Sequence, residues 1–142
     1  MRVASLGVAR PTYYDRNSIE GSLNYQAYAV APHADTTRWT YTVPAGKKAY
    51  VDSANAIVYR FTAATGVSLV NSRWVITPSG GSATLIVFAH IETNVVGDNA
   101  RQNLAGSLLL LSGSTFRGIT VDSSTGGTVD YVAAAHYIEF DA

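Results

Sequence analysis

Apolar side chains recur at every second position over most of the chain. That spacing belongs to strands whose successive residues face opposite sides of a sheet. From Arg38 to Val43, Trp39, Tyr41 and Val43 alternate with Arg38, Thr40 and Thr42, so the large apolar groups share one face. Pro44-Ala45-Gly46 stops this strand, with Pro suited to the second position of a turn and Gly to its fourth. Lys48 to Ser53 and Ala56 to Thr62 read as two strands, or as one long strand kinked near Ser53-Ala54-Asn55. Ser68 to Thr77 follows and ends at the turn signal Pro78-Ser79-Gly80-Gly81-Ser82. Ala83 to Thr93 is apolar on both faces, which predicts a central strand covered on each side. Asn94 to Ala105 reads as the longest irregular stretch, and strands resume at Gly106 to Leu111, Thr115 to Val121 and Thr128 to Phe140.

The pattern contains no helical periodicity, and β-branched and aromatic residues dominate the strand segments, as a pleated half-buried surface prefers. It predicts an all-β chain: a jelly-roll-like antiparallel sandwich or barrel of about eight strands with an extended N-terminal arm. Up-and-down barrels and immunoglobulin-like sandwiches satisfy the same spacing. The expected division is an arm over residues 1–36 and a β-sandwich domain over residues 37–142. The arm holds Arg2, Arg10, Tyr13, Tyr14, Arg16, Tyr25 and Tyr28 together with Pro11 and Pro32, and too few aliphatic residues to fold independently. Tyrosine and arginine are enriched at protein interfaces because they combine contact area with directed hydrogen bonds. These seven residues are therefore the candidate partner-binding set. The competing reading lays them on the chain's own barrel, over an exposed edge strand.

Composition narrows the field. A length of 142 residues suits one domain, and the absence of cysteine excludes disulfides and thiolate metal sites. Ten basic and ten acidic residues cancel, and the pI of 6.8 argues against nucleic acid or an anionic membrane as partner. Only 14% of residues are charged, against about 25% in a typical soluble domain, with Ser and Thr filling the gap. A surface so lightly charged repels its own copies poorly, which favours association. No apolar run approaches the ~20 residues of a spanning helix.

Site chemistry is sparse. Gly46-Lys47-Lys48 has no glycine five residues earlier and no Ser or Thr after Lys47, so it makes no phosphate loop. Gly-x-Ser-x-Gly, the mark of a nucleophile elbow, is missing. His90-Ile91-Glu92 gives half of the two-histidine strand motif of barrel metalloenzymes, and His136 would complete a trio only if the two strands paired. Asp52 and Asp130 are too scattered to read as a hydrolytic carboxylate pair, and Asp98, beside Gly97, and Asp122, opening the loop to Gly126-Gly127, sit as turn residues do rather than as a calcium pair. Trp39 and Trp74 could stack on a sugar, but each alternates with aliphatic or aromatic neighbours as core residues do. No catalytic, cofactor or metal set is assigned.

Three phrases carry a resemblance: Arg10-Pro11-Thr12-Tyr13-Tyr14-Asp15-Arg16 in the arm, Thr42-Val43-Pro44-Ala45-Gly46-Lys47-Lys48 at the entry to the barrel, and Gly126-Gly127-Thr128-Val129-Asp130-Tyr131 near its end. The chain resembles tailed-phage capsid decoration (cement or auxiliary) proteins, in particular the trimeric type of phages infecting thermophilic bacteria. The resemblance implies a non-enzymatic virion protein on the outer surface of the capsid. It would bind the major capsid protein as a homotrimer, with N-terminal arms reaching neighbouring subunits and no cofactor. One departure stands out, because thermophile proteins favour charged ion-pair networks and this chain is charge-poor. The alternative function is a carbohydrate- or receptor-binding module of a phage tail or fibre.

Overall fold

Alternation decides which side chains each strand buries, and antiparallel pairing then stacks the buried sides of two sheets against each other. The computed structural model describes residues 18–66, 69–92 and 95–142, and these form nine strands and no helix. They are β1 (Ile19–Val30), β2 (His33–Thr42), β3 (Lys47–Thr62), β4 (Val70–Thr77), β5 (Thr84–Ile91), β6 (Asn99–Asn103), β7 (Leu108–Leu110), β8 (Thr115–Asp122) and β9 (Thr128–Asp141). One sheet has the order β1-β9-β3-β6, with β7 also on β3, and the other has the order β2-β8-β4-β5.

The pairing is nested. β1 pairs with β9, β2 with β8, β3 with β6 and β7, and β4 with β5, all antiparallel. β6 and β7 lie in succession along one edge of β3, at residues 55–59 and 49–51. Taken as two halves of one interrupted strand, they complete the eight-strand jelly roll. The expected fold class holds, and the strand order is now defined.

Within the stretch expected as an arm, Ile19 to Ala27 pairs residue by residue with β9, from Glu139 back to Tyr131. Leu23 enters the core with Tyr25 and Ala27 packed beside it, so one aliphatic and one aromatic suffice where a neighbouring strand supplies the rest. Three local expectations are corrected. Ala83 to Thr93 does not form a central strand, since β5 is the outermost strand of its sheet. The stretch Asn94 to Ala105 contains β6, whose polar sequence Asn-Ala-Arg-Gln-Asn suits a solvent-facing edge. At Pro44 the hydrogen bond from Lys47 N–H to the Pro44 carbonyl puts Pro first and Gly46 third, where φ is 74°. A glycine there adopts the left-handed backbone without strain. The segments on either side of Ser53 form one strand of 16 residues, with a register shift between Val51 and Ser53. Ser68, Thr93 and the arm motif around Tyr13 lie outside the described residues.

Trp74 anchors the core. It is fully buried, stacks on Phe116 with ring centroids 4.6 Å apart, and donates its indole N–H to the Asn55 carbonyl of the opposite sheet at 2.8 Å. Gly118 lies across from it in the register. A Cβ at Gly118 would come within 2.8 Å of Tyr25 and 3.0 Å of Trp74, so glycine makes room for both rings. Trp39 closes the neighbouring edge by donating its indole N–H to the Asn24 carbonyl at 2.5 Å, which ties β2 to β1. Tyr41 stacks on Tyr137 and donates its hydroxyl to Glu139 at 2.7 Å, linking the sheets a third time.

Candidate functional site

The sheet of order β2-β8-β4-β5 turns one face inward and leaves the other open. Register sets outward side chains abreast: Leu85, Val75 and Arg117 form one row, and Phe88, Arg73 and Ile119 the next. Val75 and Ile119 point away from the interior yet are only 7% and 8% exposed, because the long side chains beside them cover them. These rows line a groove of about 560 Å³, bounded by Leu69 and Asp35 towards one end and Ala83 towards the other. The double-sided apolarity of β5 is thereby explained. Val87, Ala89 and Ile91 fill the core, while Leu85 and Phe88 form a wall of the groove.

The two guanidinium groups of the groove differ. Arg73 donates to Asp35 and to the Asn71 side chain, at 2.5 and 2.6 Å. Arg117 makes no side-chain hydrogen bond or ion pair with any described residue, and its Nε is buried without an acceptor. The groove therefore joins apolar walls to one satisfied cation and one unsatisfied cation.

A second polar group lies inside the sandwich. Arg60 on β3 and Asp122 at the end of β8 are 0% and 1% exposed, with Nη1 3.7 Å from Oδ2. Ser124 joins them: its hydroxyl accepts from Arg60 Nη2 at 2.8 Å, and its N–H donates to Asp122 Oδ1 at 2.9 Å. Nearby, Thr120 Oγ1 accepts from Arg38 Nε at 3.0 Å and also lies 3.0 Å from His33 Nε2. Burial pushes the Tyr131 hydroxyl well above the usual phenol range, and the Asp122 carboxylate adds to the shift. The cluster is enclosed, so it clasps the two sheets rather than offering a surface to a partner.

The residues singled out from sequence scatter. Tyr25 is built into its own sandwich, its hydroxyl 2.7 Å from Ser72 Oγ and raised in pKa chiefly by burial. Tyr28 is 63% exposed and donates to Gln26. Arg2, Arg10, Tyr13, Tyr14 and Arg16 lie outside the described residues. The histidine trio is not assembled: His90 lies on β5 in one sheet beside Glu92, whereas His136 lies on β9 in the other with Nδ1 2.6 Å from Asp52. Asp130, at the far end of β9 from His136, accepts the Ala29 N–H. Six residues of strand separate it from the Asp52 partner, about 20 Å. Trp74 is closed to any sugar, and the Trp39 N–H is already taken. Sequence reasoning missed Arg117 and Arg73. The signal available was an arginine near the centre of each of two predicted strands, each next to an aromatic residue, Trp74 or Phe116.

No known protein family and no curated protein matches the chain by sequence. Among solved structures it is similar to the Gx strain of infectious bursal disease virus (TM-score 0.47, 10% identity), covering 88% of this chain and 32% of that one. It is also similar to a subviral particle of the same virus (TM-score 0.45, 10% identity), covering 99% and 37%. A CocE/NonD family hydrolase from Staphylococcus aureus gives a TM-score of 0.38 at 8% identity, covering 90% and 34%. The chain thus spans about a third of the length of each. Likeness this distant carries no functional weight, and the fold rests on the strand pairing itself.

Proposed function

We propose that this chain is a structural protein of a virion. It decorates and stabilises a tailed-phage capsid from the outside, as a homotrimer on the major capsid protein, with its N-terminal residues contacting neighbouring subunits. One observation carries the reading: large apolar side chains stay exposed around the jelly roll of a chain with few charges. Tyr28, Tyr59 and Phe61 are exposed on the first sheet and Leu85 on the second, as are Leu109 within the short β7 and Leu111 just after it. Such patches mark surfaces that are covered in assembly. Three linked barrels make each later contact effectively intramolecular, so individually weak sites hold tightly. Binding that favours the folded state also raises apparent stability by mass action, which replaces the missing ion-pair networks.

The test compares the full chain with one beginning at Ser18, which keeps β1 intact. Cosedimentation with capsid shells and heat challenge of the decorated particles should show full occupancy and added heat resistance for the full chain, both reduced by the truncation. Equal occupancy and equal heat resistance would remove the N-terminal role, and no occupancy by either chain would overturn the capsid reading.

A further inference from the structure

The groove on the outer face of the β2-β8-β4-β5 sheet contains its own statement of what it lacks. The one acid in its described lining, Asp35, is already engaged by Arg73, and Arg117 stands abreast of Val75 and Leu85 with its Nε buried and no acceptor among the described residues. A buried donor left unmet costs stability, and a guanidinium fork is matched best by a carboxylate, which accepts two parallel hydrogen bonds. Val75 and Leu85 stand abreast of this cation, and the rest of the lining mixes apolar Leu69, Phe88 and Ile119 with polar Thr37 and Asn71 and the Arg73–Asp35 pair.

We infer that the groove docks an extended protein segment in which a Glu or Asp is flanked by apolar side chains, its carboxylate seated on Arg117. The inference rests on the assembly reading in taking the partner to be a protein. Charge complementarity selects the carboxylate, and the apolar walls select its neighbours. The groove is open to solvent and runs along β4 from near Leu69 to the row of Val75, which fits a strand lying across the sheet. The chain's net charge of zero gives no general attraction for polyanions, so recognition depends on this one cation in its apolar setting.

The test is calorimetric titration of the full chain with three blocked heptapeptides of alternating valine and threonine, differing only in a central glutamate, glutamine or lysine. The glutamate peptide is expected to bind at least tenfold tighter than the other two. In Arg117→Gln that preference should fall below twofold, and in Arg117→Lys it should be intermediate, because the charge remains and the fork is lost. Leu85→Asp should abolish binding of the glutamate peptide while the protein still melts cooperatively. Equal affinity for all three peptides, binding of none, or a preference that survives in Arg117→Gln would overturn the inference. So would inorganic phosphate binding as tightly as the glutamate peptide, since the site would then be a bare anion site. A monomer that still prefers the glutamate peptide would sink the assembly reading and leave the groove standing, whereas a trimer without the preference would do the reverse.

Discussion

The enclosed cluster around Arg60 and the open groove around Arg117 hold the same cation in opposite circumstances. Arg60 has no exposed surface; its charge faces Asp122 at 3.7 Å and its Nη2 donates to Ser124, while its Nε and Nη1 make no hydrogen bond. Arg117 lies on an outer face among apolar neighbours, and no described residue answers it. A buried charge without a partner would unfold the sandwich, so the interior had to supply one. An outer face can leave its partner to another molecule. The first region therefore reports on folding and the second on binding.

Breaking the interior clasp should have the largest effect. Arg60→Met leaves the Asp122 carboxylate buried and uncompensated, which should cost about 3–5 kcal/mol in denaturant unfolding. The double variant Arg60→Met with Asp122→Leu should recover much of that loss, because an apolar pair of similar size needs no counter-charge. If the single and double variants unfold alike, the clasp is not what holds this end together.

Next in size is overpacking. Gly118→Ala drives a methyl group against Tyr25 and Trp74, with an expected loss of about 1–3 kcal/mol. Unchanged stability would show that the rings yield more easily than their contacts imply.

Alkaline pH should act more gradually. Burial raises the pKa of Tyr25, Tyr41, Tyr131 and Tyr137 above the ordinary phenol value of 10.0, with Glu139 adding to the shift at Tyr41 and Tyr137. The folded state then keeps protons that the unfolded chain releases. Their contribution is full below about pH 10 and is lost as pH rises beyond it. Tyrosinate absorbance checks this: these four should ionise late, together with unfolding, and a single early rise for every tyrosine would contradict it.

The smallest expected change is the sharpest contrast. Arg117→Gln should alter unfolding by no more than about 0.5 kcal/mol, as an outer-face substitution away from the core, while removing the preference for an acidic segment. A large loss of stability would make Arg117 a second interior clasp and erase the distinction between the two regions.

What the sequence disclosed follows from what alternation can encode. Strands with a large apolar residue at every second position, such as Trp39, Tyr41 and Val43, are legible because their burial depends on their own side chains. β1 escapes that logic. Its buried side is Leu23, Tyr25 and Ala27, with Val30 beyond the register shift, and β9 supplies the rest of the pairing. β6 escapes it too, since an edge strand held by backbone hydrogen bonds needs no apolar side chain. The groove was half visible. Apolarity on both faces of Leu85 to Ala89 was apparent, but one local segment cannot distinguish coverage by a second layer from an exposed wall. Arg117 and Arg73 meet only through β4–β8 pairing, between residues more than 40 positions apart, which no short motif records.

The central claim is that this lightly charged jelly roll exists to assemble, and its mass in solution tests that most directly. Light scattering across a range of concentrations should give a species about three times the chain's 15.1 kDa. A mass of 15.1 kDa at every concentration would contradict the account.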